Sequence, residues 1–244
     1  NHMVVLPDAD LGLAADAAVS AGFGSAGERC MAVSVVVAVG GIADDLVEEI
    51  KLRMEKLTVG PGSDVSSEMG PLITAEHRDK VASYLQAGAE EGADVVVDGR
   101  LKSFDSGGFF LGASLLDKVT TEMTVYKDEI FGPVLSVVRV DDYHQAVGLI
   151  ADNPYGNGAA IFTRDGGVAR RFQVEADAGM IGINVPIPVP VGYHSFGGWG
   201  DSFLGNTTMY GPEGLHFFSR PKVVTSRWPD PSTSLVDLGF PRNA

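Results

Sequence analysis

Between Met31 and Gly40 the chain reads Val-Ser-Val-Val-Val-Ala-Val, apolar and mostly β-branched at odd and even positions alike. A half-solvated strand alternates apolar with polar residues, so a run without alternation has both faces covered, as inner strands of a parallel sheet do. Directly after it, Leu46, Val47, Ile50, Met54 and Leu57 recur at helical spacing, with Asp44, Asp45, Glu48, Glu49, Lys51 and Lys56 on the opposite face. A doubly covered strand followed by an amphipathic helix is the unit of a sheet flanked by helices, and it points to the α/β class.

The rest of the chain repeats that order. Pro7, Asp8 and Asp10 open a helix that ends at Gly22, the glycines and proline of residues 60–64 force a loop, and Thr74 caps a helix reaching Glu91. Strands are expected at 95–97, 109–111, 114–119, 134–140, 159–162 and 180–184, and helices at 142–151 and 168–175. Prolines alternating with apolar residues over 185–191 exclude regular pairing and make a stiff loop. The alternation from Gly214 to Trp228 suits a strand with no partner inside the domain, expected to pair with another subunit. Residues 230–244, rich in Pro, Ser and Asp, are expected to be disordered.

Composition removes several function classes. With 18 Lys and Arg against 32 Asp and Glu, a net charge of −14, the chain opposes nucleic acid, and nucleic acid is not an expected partner. No apolar stretch approaches the ~20 residues of a membrane-spanning helix, so no membrane partner is expected. The first residues lack the basic and long apolar segments of a secretory signal, which predicts a cytoplasmic protein. They also open abruptly in apolar sequence, as a domain cut from a longer protein does. One cysteine excludes an intramolecular disulfide, and five histidines without paired spacing predict no zinc site.

Gly22 to Gly27 fits G-x-G-x-x-G, with acidic Glu48 about 20 residues on as the dinucleotide pattern asks. The context is reversed, because a dinucleotide fingerprint follows a strand and opens a helix, whereas here the helix comes first. These glycines more simply carry the chain through a tight loop to Glu28-Arg29-Cys30-Met31-Ala32. A lone cysteine is often a small buried hydrophobe. A thiol in a Gly-rich loop beside Arg29, however, stands near positive charge and free N–H groups, which favour the nucleophilic thiolate. On the residues alone both readings of Cys30 stay open.

The stretch Phe23-x-x-x-Gly27-Glu28-x-Cys30-Met31-Ala32 resembles the active-site cysteine motif of the aldehyde dehydrogenase superfamily. Glu129-Ile130-Phe131-Gly132-Pro133-Val134 resembles that family's second motif, and Phe196-Gly197-Gly198-Trp199 its third. Together with Asn184 to Pro190 and Ser195, the thiol motif is similar to that of the CoA-acylating methylmalonate-semialdehyde dehydrogenases. The resemblance runs from Asn1 to about Pro229 and covers the C-terminal half of such an enzyme. One departure is Gly200-Asp201-Ser202, where the family usually has Lys-Arg-Ser.

The resemblance implies an α/β catalytic domain of aldehyde dehydrogenase type over residues 1–213, its thiol loop at 27–32, an oligomerisation strand over 214–229 and a tail from 230 to 244. It implies a separate N-terminal NAD-binding domain, without which the fragment would be inactive. Cys30 would be the nucleophile toward the aldehyde carbon, its own N–H helping to hold the oxyanion. Arg29 would clamp the substrate carboxylate, Glu129 would bind the nicotinamide ribose, Phe131 would pack on the nicotinamide, and Phe196 would line the acyl pocket, with Phe23 and His194 as further candidates. NAD is the implied cofactor and coenzyme A the co-substrate, with no metal. The implied partners are a small carboxylated aldehyde, the NAD-binding domain and further copies of the chain in a tetramer. The implied reaction turns methylmalonate or malonate semialdehyde into propanoyl-CoA or acetyl-CoA with loss of CO2, as in valine and inositol catabolism. Open alternatives are a structural ion pair for Arg29, an ordinary turn at 129–134, a hydrolytic dehydrogenase, and a module that only oligomerises.

Overall fold

The computed structural model describes residues 1–104, 107–205, 207–228, 230–233 and 239. In chain order the elements are β1 (His2–Val5), α1 (Leu11–Phe23), β2 (Val35–Val39), α2 (Ala43–Met54), α3 (Ala75–Glu91), β3 (Asp94–Val97), β4 (Ser114–Asp117), α4 (Thr124–Lys127) and β5 (Val134–Val140). They continue with α5 (Tyr143–Ala151), β6 (Tyr155–Gly156), β7 (Gly158–Phe162), α6 (Gly166–Glu175), β8 (Met180–Ile183), β9 (Trp199–Gly200) and α7 (Gly211–Phe217).

Seven strands form one sheet in the order β3-β4-β5-β2-β1-β7-β8, parallel except for the antiparallel β3–β4 pair. The expected mostly parallel sheet flanked by helices is therefore present. Its inner strands explain the unalternating sequence. Val35, Val37 and Val39 enter one core cluster with residues of α3, α5 and α6, among them Val81, Leu85, Ile150 and Phe172. Val36 and Ala38 enter the other, with Ala14, Ala18, Leu46 and Ile50 of α1 and α2. Both faces of β2 are thus dry, and every residue of the strand is buried.

Side-chain caps place the helix starts. Asp10 Oδ1 accepts from Leu13 N–H, Thr74 Oγ1 from His77 N–H, Asp142 Oδ1 from Gln145 N–H, and Asp165 Oδ1 from Gly167 and Val168 N–H. Each satisfies N–H groups that a first helical turn leaves without intrahelical partners.

Several expectations need correction. β1, four residues long and ahead of Pro7 where no strand was expected, is an inner strand with β2 on one side and β7 on the other. The strand expected at 109–111 is absent, although Phe109 still offers its carbonyl to Leu72 N–H. The strand expected from Gly214 begins instead as the end of α7, where Pro212 stands in the first turn beside Glu213. Proline there forfeits no helical hydrogen bond and an acid there meets the positive end of the helix dipole, so helix wins locally. The expected boundary between residues 213 and 214 falls inside that helix. Residues 219–228 form no strand with the described residues, because alternation alone supplies no edge to pair with. The expectation for the 230–244 tail lies mostly outside the described residues.

Candidate active site

α1 runs into a left-handed turn. Ser25, Ala26 and Gly27 have φ of 54°, 55° and 73°, a conformation that costs an ordinary residue roughly 1–2 kcal/mol. Gly27 is required for a second reason, since a Cβ on it would stand 2.1 Å from the Gly132 carbonyl oxygen. The thiol loop and the second motif therefore touch backbone to backbone. The helix-then-turn order also removes the dinucleotide reading of Gly22 to Gly27. Phe23, at 1% exposure, belongs to the core and not to a pocket.

Beyond the turn Cys30 is exposed, which discards the buried-hydrophobe alternative. Arg29 Nε donates to Ser25 Oγ at 3.1 Å, and its guanidinium lies over Gly24, 2.7–2.8 Å from where a Cβ would be. It has no carboxylate partner among the described residues. Glu28 instead faces His77, 3.5 Å from Nε2.

The second motif follows α4. Phe131 adopts φ 53°, and its carbonyl is held by His77 Nε2 at 2.7 Å. His77 thus reaches the thiol loop through Glu28 and the second motif through Phe131. The Phe131 ring is 39% exposed. Glu129 is exposed, and its carboxylate accepts no hydrogen bond among the described residues. His2 Nε2 lies 2.9 Å from Tyr126 Oη, and both residues line the cleft described below. Burial pushes the His2 imidazole down to about 3. The His2 ring is therefore uncharged near neutral pH.

The third motif is pinned by a small antiparallel pair, with Tyr155 opposite Gly200 and Gly156 opposite Trp199. Phe196 is half-buried, edge-on to Tyr210 with ring centroids 6.4 Å apart. Ser195 Oγ donates to Glu213 Oε2 at 2.6 Å and holds that carboxyl below its usual range. His194 packs on the Tyr193 ring at 4.7 Å and does not line the cleft described next.

A cleft of about 460 Å³ collects these groups: Arg29, Cys30, Glu129, Phe131 and Phe196 all line it. Asp201 and Ser202, from the departing segment after the third motif, line it too. Sequence reasoning missed His77, Asn1 and Asn157. Asn157 Nδ2 donates to the Cys30 carbonyl at 2.9 Å and Asn1 Nδ2 to the same oxygen at 3.1 Å. These residues lie in no spaced pattern that would single them out. Among the described residues no group of three His, Cys, Asp or Glu side chains could hold a metal ion, and no helix is long and apolar enough to cross a membrane.

Comparison with known proteins gives a consistent result. Residues 1–224 match the aldehyde dehydrogenase family. Malonate-semialdehyde dehydrogenase of Pseudomonas aeruginosa is 52% identical over 232 residues, which are 94% of this chain and 47% of that protein. The crystal structure of methylmalonate-semialdehyde dehydrogenase from Oceanimonas doudoroffii superposes with a TM-score of 0.92 at 50% identity, over 95% of this chain and 48% of that one. An aldehyde dehydrogenase of Mycobacterium tuberculosis complexed with NAD+ superposes with a TM-score of 0.84 at 30% identity, over 90% of this chain and 45% of that one. The chain thus spans about half the length of the curated relatives it matches.

Proposed function

Given that this chain belongs to the aldehyde dehydrogenase family, we propose that it is the thiol-bearing part of an NAD-dependent, CoA-acylating dehydrogenase of malonate or methylmalonate semialdehyde. The observation that carries the reading is the cleft, where an exposed thiol from one motif meets Glu129 and Phe131 from a second and Phe196 from a third. The names of the relatives from P. aeruginosa and O. doudoroffii support the substrate class.

The residues present fit a nicotinamide nucleotide. Glu129 offers a carboxylate without a hydrogen-bond partner among the described residues, suited to sugar hydroxyls, and the part-exposed Phe131 ring offers a flat apolar face. When bound, NAD supplies a hydride acceptor. Cys30 Sγ bonds to the aldehyde carbon and its thiol proton goes to solvent, while the Cys30 N–H helps hold the oxygen that becomes negative. Loss of hydride from that carbon leaves a thioester on Cys30. The substrate carboxylate leaves as CO2, a proton replaces it, and the thiol of coenzyme A takes the acyl group and frees Cys30.

Arg29 is the group for the substrate carboxylate. Its guanidinium borders the cleft and is held only by Ser25 Oγ among the described residues, so its remaining N–H groups can form a bidentate pair. The exposed Phe217, Phe218, Val223 and Trp228 are the residues through which the C-terminal segment meets another subunit.

The test is steady-state turnover, in a chain of the relatives' full length, with each semialdehyde in the presence and absence of coenzyme A. NADH formation that stops without coenzyme A, with propanoyl-CoA or acetyl-CoA as product, is the expected result. Equal turnover without it, yielding free acid, would overturn the acyl-transfer step in favour of hydrolysis.

A further inference from the structure

The Cys30 carbonyl receives two side-chain carboxamides, although it lies at the solvent-facing edge of the loop, where water could serve it. Asn157 Nδ2 is 2.9 Å from it and Asn1 Nδ2 is 3.1 Å from it. A carbonyl oxygen has two lone pairs, and both are taken. Such bonds are not needed to hide a buried polar atom; what they do is set the direction of the peptide that follows Cys30.

Asn157 is placed to transmit that direction. It sits between β6 and β7, and its Nδ2 also lies 3.1 Å from Met31 Sδ. Its backbone meets the third motif, since a Cβ on Gly198 would be 3.2 Å from Asn157 Cα. Asn1, the other donor, is itself tied to the same turn, with Oδ1 accepting from Gly158 N–H at 3.0 Å and Nδ2 donating to the Ala32 carbonyl at 3.0 Å. Asn157, and Asn1 tied to it through Gly158, thus hold the chain at the thiol and just after it, at Cys30, Met31 and Ala32.

We propose that Asn157 is a positioning residue for Cys30: by fixing the Cys30 carbonyl it fixes the Cα–Cβ direction, and so the line along which Sγ approaches a carbonyl carbon. The proposal rests on Cys30 being the nucleophile. Attack on a carbonyl needs that line together with the Cys30 N–H at the developing oxyanion, whereas alkylation of an exposed thiol by a small halide needs neither. Loss of the Asn157 bond therefore slows acylation more than alkylation.

Cys30 is the single thiol in the chain, so both reactions can be followed on it alone. With p-nitrophenyl acetate, sulfur bonds to the acetyl carbon, p-nitrophenolate leaves, and the thiol proton goes to solvent. Iodoacetamide provides the alkylation rate. The variants are Asn157→Leu and Asn157→Asp, the second keeping the shape without an N–H and serving if the first fails to fold. Ile50→Val is the control for general loosening, because Ile50 is a buried core residue of α2 that does not line the cleft.

In both Asn157 variants the ratio of acylation to alkylation rate is expected to fall about tenfold, the scale of a sub-ångström misplacement of reacting groups. Amide hydrogen exchange over residues 29–33 is expected to speed about tenfold while β2 and β5 stay protected, since only the loop is released. A ratio equal to that of the parent, or a fall matched by Ile50→Val, overturns the proposal. If the parent thiol is alkylated but not acylated, the nucleophile reading fails instead, and the local exchange rates alone decide whether Asn157 holds the loop.

Discussion

Replacement of Gly27 by alanine tests the contact that joins the thiol loop to the second motif. The new Cβ would stand 2.1 Å from the Gly132 oxygen and 2.6 Å from its carbon, with the Gly22 oxygen 3.1 Å away on the other side. Real Cβ contacts do not fall below about 3 Å, so the two backbones must part by about 1 Å against a packed neighbour, an overpacking worth about 2 kcal/mol. Holding alanine at φ 73° adds about 1 kcal/mol. The sum, about 3 kcal/mol, moves a urea midpoint by about 1 M for a domain with a slope near 3 kcal/mol per molar. The same shift displaces Cys30 from Phe131, and a 1 Å misplacement costs a reaction about 100-fold. Urea unfolding of the 244-residue chain and NADH formation in a chain of the relatives' length measure the two effects. Gly41→Ala is the control, because nothing lies within 4 Å of a Cβ there. If Gly27→Ala shifts the midpoint no more than Gly41→Ala and leaves the rate intact, the backbone contact does not support the site as argued.

Further outcomes follow from the same structure. Cys30→Ser should abolish thiol labelling, and NADH formation should fall with it; turnover above a few per cent of the parent would place the nucleophile elsewhere. Arg29→Gln should reduce the preference for a carboxylated semialdehyde over propanal by about 10- to 100-fold in kcat/KM, the range of a charge-assisted bond, and an unchanged preference sinks the clamp. His2 stays neutral when folded down to about pH 3, whereas the unfolded chain protonates it near ~6.5. Stability is therefore lost as pH falls from about 6.5 towards 3, amounting to about 2 kcal/mol between pH 7 and pH 5. His2→Gln should remove that part of the slope in unfolding measured at the two pH values, and parallel slopes would contradict it. Arg139 holds Asp117, 4% exposed, through two bonds of 3.0 and 2.6 Å. Arg139→Met should cost about 3 kcal/mol in urea unfolding by taking the counter-ion from a buried carboxylate that keeps only the Lys118 N–H among the described residues, and a loss below about 1 kcal/mol would show that water reaches it.

Much of the architecture could be read along the chain because the forces behind it are local or periodic. The unalternating valines of β2 announce two covered faces, and Asp10, Thr74 and Asp142 announce helix starts by the N–H groups they satisfy. The three motifs carrying Cys30, Glu129 and Phe196 were recognisable as residue patterns. Local reasoning failed where the deciding interaction comes from far away. β1 is four residues long, too short to declare a period, and becomes a central strand only because β2 and β7 bond to both its sides. The C-terminal alternation read as strand, yet in the described residues no edge meets it, and Pro212 with Glu213 starts a helix instead.

The α/β class, the helix starts and the chemical identity of the available groups could be read along the chain, since side-chain type, spacing and capping act within a few residues. That Cys30, Glu129, Phe131 and Phe196 share one cleft, that Gly27 and Gly132 touch, and that Asn157 reaches across 127 positions to the Cys30 carbonyl came from long-range packing. Those distances follow from the strand order of the sheet, which is set by cooperative burial of two faces at once and leaves no local period in the chain from which it could be read.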